Sequence, residues 1–447
     1  MNKKPNFKVK KVIEEYFEID LEKFSVDIEI FDRRDDTATF DIIREQYLQN
    51  YQKIETQKNK KLFVGDDLII FLLNFTSNEE VKDIPGEYLV YYPICTKEEI
   101  GRIRNVRTQE DFLLKLRADA IADNPRFARI FDKRRQNKEN WSLSAYFNKQ
   151  PFKDYLSYLS PSDSRACKNV VAGFAFISEP NGICFKNDFG SLIIISESLQ
   201  YFLYYMNLFI FSNPYINIGH YDDALSSEDL LSYFLIAVRI MLGTESLDFD
   251  IDPRGKIPER LSKQVTAIVQ DQVEFVIGHE YAHLLRGHLS NKIISQCSLT
   301  HMAMINRTCP PIKYYNYLQK QEFEADWFAI KNARYGVEKR DDIVNAAFTF
   351  FMCLDLFDAV RTYIEPQPPW RSSHPKPVER LQRLRQKINK RFGYSANELE
   401  GFLMQIDIFK EFLAKDFLPY KIDELEIIGS VYLPSTDRKP LLDRIDF

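Results

Sequence analysis

From Leu261 to Leu289 the apolar residues Val265, Ile268, Val269, Val273, Val276, Ile277 and Leu284 recur at intervals of three and four, the period of a buried helix. That helix has to carry His279-Glu280-Tyr281-Ala282-His283 near its C-terminal end. Residues four apart lie on one helical face, so both imidazoles reach a single point, where an ion about 2.0–2.1 Å from each ring nitrogen would sit. Glu280 follows the first His directly, and its carboxylate leans toward the open side of such an ion, placed to take a proton from a water. Only six His occur in 447 residues, so chance is a poor account of this spacing. The bland alternative is a pair of solvated histidines flanking an ordinary Glu.

A catalytic zinc takes three protein ligands and leaves a fourth position for water, so a further ligand is expected downstream on a second element. Gln321-Glu322-Phe323-Glu324-Ala325-Asp326-Trp327-Phe328-Ala329 offers one. Glu322 and Asp326 are four apart and share a helical face, whereas Glu324 points to the other side. Glu322 is assigned to the metal, with Glu324 as the competing ligand because helical phase alone separates them. Asp326 is expected to accept the free ring N–H of a ligand imidazole, His279 above all, and so to fix its tautomer.

With these residues in place the chain resembles the gluzincin zinc metallopeptidases of the CAAX prenyl protease and HtpX type, a group that also holds the mitochondrial inner-membrane stress protease. The HExxH of that family is commonly followed by a His five residues on, the place of His288. Its ligand helix reads ExxADxxA, here Glu322, Ala325, Asp326 and Ala329, and a later His-Pro pair with an Arg matches His374, Pro375 and Arg380. Gly182-Ile183-Cys184-Phe185 and Leu192-Ile193-Ile194-Ile195 look like the family's hairpin and edge strand. The resemblance covers roughly residues 170 to 390. It implies one Zn2+ per chain held by His279, His283 and Glu322, with Glu280 as general base and Asp326 supporting a ligand. It further implies that His374 and Arg380 sit beside the metal and stabilise the oxyanion of the tetrahedral intermediate. An extended protein or peptide substrate is expected to add alongside Leu192 to Ile195. His288 falls about 140° around the helix from His283 and suits packing or hydrogen bonding better than ligation. His220 and His301 match no ligand spacing and read as structural.

The family's best-known members are membrane proteins, yet no run here reaches about 18 uncharged apolar residues. The longest, Leu199 to Phe211 and Val344 to Leu354, contain Asn207 and Asn345 and read as buried helices. The basic N-terminus leads into further charges instead of an apolar stretch, so no signal peptide is expected. Six Cys without a CxxC pair fit reduced thiols, hence a cytoplasmic, soluble chain. A net charge of −5 gives no push toward nucleic acid, and the basic runs Lys58 to Lys61 and Lys133-Arg134-Arg135 read as solvated faces.

The expected architecture is α+β, a mainly helical zincin-like core around a small sheet with an extra mixed N-terminal region. Residues 1–135 would form that region, a possible seat for a regulatory partner, with Val9–Phe24 helical, Ser25–Phe31 a half-buried strand, and Leu62–Phe75 and Glu87–Ile94 strands or buried segments. A linker is expected at Asp132–Asn140, the peptidase core at 141–392, with an insertion at about Ser212–Lys263, and a tail at 395–447, helical over Asn397–Phe417 and extended over Leu425–Leu433. The function expected is a soluble zinc metallopeptidase acting on a protein, held inactive in a stress or defence role. The alternatives are a zinc-stabilised binding or regulatory protein without catalysis, and a phage-exclusion or repressor-cleaving HExxH peptidase.

Overall fold

The computed structural model describes residues 7–35, 37–55, 61–177, 181–212, 227–250, 252–288, 319–365, 375–426, 429–436 and 441–442. Helices dominate, with small sheets between them. Packing divides the chain into two compact units, one of residues 1–106, 117–146 and 441–447, the other of 107–116 and 147–440.

The first unit is built on an antiparallel sheet of β1 (Phe24–Asp32), β2 (Lys61–Val64) and β3 (Leu68–Ser77), in the order β1-β3-β2. The central strand β3 begins Leu68-Ile69-Ile70-Phe71-Leu72, apolar at every position, because both of its faces are covered. Ile69 and Phe71 pack with Phe40, Ile43 and Tyr47 of helix α1 (Thr37–Glu55). Leu68, Ile70 and Leu72 pack on the other side with Val9, Val12, Ile13 and Phe17. The N-terminal helical run ends at Tyr16, short of the expected Phe24. The segment expected as a strand or buried run at Glu87–Ile94 is no strand but a 3₁₀ turn over Gly86–Tyr91, entered through Pro85, whose fixed φ of −58° starts the turn, with Tyr91 and Ile94 buried.

The charged stretch expected as a linker begins as the last turn of helix α2 (Pro125–Gln136), which is capped by the Asn124 side chain on the backbone N–H groups of Arg126 and Phe127, and only residues 137–140 lie beyond it. Asp132 and Arg134 are buried. The Arg134 guanidinium lies 4.9 Å from the Phe131 ring centre and 5.0 Å from that of Tyr146, so this basic run is a packed cation–π surface and not a solvated face. Arg129 of the same helix pairs with Glu29 of β1 at 3.1 Å. The acidic side of β1 is therefore also covered. Burial and the nearby Asp132 push the Asp27 carboxyl up to about 6. In the folded chain Asp27 thus keeps its proton up to about pH 6, whereas an unfolded Asp releases it near 3.9. The charged form opposes folding above pH 6, and this opposition fades as pH falls toward 4. Asp27→Asn is expected to raise the unfolding midpoint at pH 7.5 by an amount that shrinks steadily to pH 4, and a gain independent of pH would contradict this.

In the second unit, β4 (Val171–Ala175), β5 (Gly182–Asn187) and β6 (Gly190–Ser196) form a sheet in the order β4-β6-β5, with β4 parallel and β5 antiparallel to β6. Helices α3 (Glu197–Ser212), α4 (Ser227–Leu242), α5 (Glu259–Leu285), α6 (Gln319–Lys331), α7 (Val337–Ile364), α8 (Pro377–Lys387) and α9 (Ala396–Phe412) follow. Helix α5 packs against α3, α6, α7 and strands β5 and β6, and its register is fixed by a buried polar chain. The Asn207 amide donates to Gln272 Oε1 at 2.7 Å and Gln272 Nε2 donates to Thr349 Oγ1 at 3.1 Å, tying α3, α5 and α7 together. Helix α7 is long and apolar enough to cross a membrane by length and composition, and 72% of its most apolar window is buried inside the protein.

The C-terminal part of this unit is anchored twice. Phe409 of α9 lies 4.7 Å from Phe209 and 5.4 Å from Phe234, ring centre to ring centre. The helix Leu418–Glu426 takes in the first two residues of the segment expected to be extended, whose described remainder is not helical and includes a strand at Gly429–Ser430; there the backbone N–H of Val431 meets the Glu245 carboxylate at 3.3 Å. Glu245 is itself gripped by Arg239 Nε at 2.9 Å and Arg254 Nε at 3.0 Å, and Arg254 also reaches Asp248 at 2.6 Å, all four side chains being at most 2% exposed.

Candidate active site

Helix α5 brings the two histidines of the HExxH run to one side, buried, with their Nε2 atoms 3.0 Å apart. Helix α6 delivers Glu322 opposite them. Its Oε2 lies 3.6 Å from His279 Nε2 and its Oε1 3.5 Å from His283 Nε2. Among the described residues His279, His283 and Glu322 form a cluster whose donor atoms all lie within 4.8 Å of one another. Three donors at about 2.0–2.2 Å from one ion in tetrahedral array stand roughly 3.3 Å apart, close to the spacing found. Two imidazoles and a carboxylate are a borderline-soft set that suits zinc, so the residues fit the metal the sequence implies.

The partners of these side chains fix which atoms face the ion. Asp326, one turn after Glu322, takes His279 Nδ1 at 2.9 Å and leaves Nε2 turned inward. Burial lowers the His279 pKa, but the hydrogen bond and charge of Asp326, joined by Glu322, outweigh it and hold the value above the ordinary one. His283 is driven the other way, well below the usual imidazole range, by burial first and then by His279. Asp326 is buried, which raises a carboxyl, yet the Arg380 guanidinium beside it keeps its pKa below the usual range. The competing ligand Glu324 points elsewhere: Arg286 donates to it at 2.8 Å, and it is 30% exposed.

Arg380 comes from α8 and, as expected, lies beside the clustered residues, lining one cavity with His279, Glu280, His283 and Glu322. Its Nε and Nη2 donate to the two oxygens of Asp326 at 2.9 and 2.6 Å, and its Nη1 lies 3.6 Å from Glu322 Oε2. The guanidinium fork is thus directed at the carboxylates that hold and form the site. His374, the other residue expected at the oxyanion, lies outside the described residues, as do His220 and His301.

Glu280 is buried against the first residue of β5. A methyl group built on Gly182 would stand 2.6 Å from Glu280 Oε1 and 2.9 Å from its Cδ, so the missing side chain is what allows strand and carboxylate to pass so closely. In the sequence this glycine stands out only as part of a hairpin, and the Asn181-Gly182 pair at the strand start is the only signal of its role. Gly182→Ala is expected to push the Glu280 carboxylate aside and lower turnover at least 10-fold with zinc content intact; unchanged turnover would show that the carboxylate finds another path.

The strand expected to take a substrate, Leu192–Ile195, lies in β6, which pairs with β4 on one side and β5 on the other. A central strand has no main-chain groups left for an added strand, so that expectation is corrected.

Residues 260–388, which run from the start of α5 through α8, match the family model of Peptidase family M48. The match supports a metallopeptidase. It spans 129 of the 447 residues and includes His279, Glu280, His283, Glu322, Asp326, His374 and Arg380. No curated protein and no solved structure gives a match.

Proposed function

We propose that the chain is a soluble, cytoplasmic zinc metallopeptidase of the CAAX protease and HtpX type, with a zincin-like core, that hydrolyses peptide bonds of a protein substrate. The observation that carries this reading is the convergence of His279, His283 and Glu322 at one point with Glu280 buried beside them. Zinc bound there supplies Lewis acidity and lowers the pKa of water. Glu280 takes the proton of the attacking water and returns it to the leaving amine. Asp326 holds the His279 ring, and Arg380 holds Asp326 and Glu322 in turn, a positioning role. The strand that offers an extended substrate a pairing edge is β5, since no described strand pairs with its other side and its first residue touches Glu280.

Among the described residues the site is tight: its cavity of about 30 Å³, lined by residues that include Phe275, Val276 and Phe350, has room for a water and none for a peptide. This supports a peptidase held closed until a stress or defence trigger opens it, with residues 1–135 as the place for a regulatory partner. The same small cavity favours the second reading, a zinc that only fastens a binding protein. Mapping new protein termini in cells that carry the wild type or Glu280→Gln, taken through a panel of stresses, separates the two: termini present only with the wild type are expected under at least one, and identical sets under all would overturn the proposal.

A further inference from the structure

His279 has a carboxylate behind it, as zinc-ligating histidines commonly do; His283 has another histidine. His283 Nδ1 and His288 Nδ1 stand 2.8 Å apart with the rings 64° to each other. His288 Nε2 faces Glu324 Oε2 at 3.4 Å, and Glu324 is held by Arg286 at 2.8 Å. Three features of the sequence produce this chain. Helix α5 ends at Leu285, Gly287 follows with a φ of 69°, a left-handed conformation, and the backbone N–H of His288 bonds back to the His283 carbonyl at 3.0 Å. The turn folds His288 under His283, and Glu324 on the adjoining turn of α6 closes the row.

Two nitrogens at 2.8 Å share one proton, so one Nδ1 donates and the other accepts. If His283 binds metal through Nε2, that atom gives up its lone pair, and the ring proton of the neutral imidazole lies on Nδ1. His288 Nδ1 must then be the acceptor, and the single proton of its ring lies on Nε2, directed at Glu324. The geometry points to His288 as a positioning residue for the metal: a neutral acceptor, oriented by Glu324 and Arg286, that holds His283 in the tautomer and ring plane that ligation needs. This inference rests on the proposed zinc site and deepens it, giving the second ligand a support equivalent to the one Asp326 gives the first. Glu324, the rejected ligand candidate, serves the centre through two intermediates.

Zinc affinity of the full chain, measured by competition with a chromophoric chelator, tests the assignment. His288→Leu, which fills the space and cannot accept a hydrogen bond, is expected to weaken zinc binding about 10–100-fold, and His288→Asn, whose side-chain oxygen can accept, to recover most of that loss. The visible spectrum of the cobalt-substituted chain should shift in His288→Leu and not in His288→Asn. Equal affinities in wild type and His288→Leu would overturn the inference while leaving the zinc site standing, whereas a wild type without zinc affinity would remove the site itself. A reading that needs no variant is the nitrogen-15 spectrum of the six histidines in the zinc-loaded wild type. His288 protonated on Nε2 alone and His283 on Nδ1 alone are expected; a His288 carrying its proton on Nδ1 would contradict the assignment.

Discussion

Glu280→Gln is expected to lower peptide hydrolysis by about 10²–10⁴-fold, the range associated with loss of a general base, while zinc content stays at the wild-type level. The two effects separate because Glu280 is not among the three clustered donors. Glutamine keeps the length and planarity of the side chain, so the close passage against Gly182 survives, but a neutral amide cannot accept and return a proton. Cleavage of an unfolded protein, followed by mass spectrometry under conditions where the wild type is active and paired with metal analysis, reads both quantities. A variant that cleaves as fast as the wild type would leave the centre without its base and the mechanism without its first step.

The second large effect concerns stability and lies away from the metal. Glu245→Ala is expected to cost about 3–5 kcal/mol, the penalty typical of breaking a buried ion pair on one side. Arg239 and Arg254 are at most 2% exposed, so removal of the carboxylate between them leaves two guanidinium groups facing each other without water. Asp248 balances only Arg254, and Arg239 falls back on backbone carbonyls such as that of Gly429 at 3.2 Å. The tail should loosen with it, because Val431 N–H loses its acceptor. Urea unfolding gives the energy and limited proteolysis after Glu426 gives the release. A loss below about 0.5 kcal/mol would mean that the arginines find other partners at little cost.

What the sequence made legible tracks the length and regularity of the pattern. Helix α5 was readable because its apolar period runs through seven turns, and Glu322 with Asp326 followed from a spacing of four on a second helix. The hairpin of β5 and β6 was readable from two short apolar runs. Their place in the sheet was not, since strand order depends on β4 pairing in parallel from before the hairpin, and that contact leaves no mark in local periodicity. Arg380 lies in a motif whose spacing says it comes near the metal but not which way its fork points; only the position of Asp326 decides that. Glu245 with Arg239 and Arg254, and Arg134 with its aromatic neighbours, were hidden for a related reason. A charge in sequence reads as solvated until its partner, brought from another element, is seen.

Zinc bound per chain is the measurement closest to the central claim. Purified wild type is expected to hold about one zinc per chain, with His279→Ala and Glu322→Ala near zero while each still melts cooperatively. A folded wild type that takes up no zinc, or a Glu322→Ala chain that retains it in full, would contradict the account.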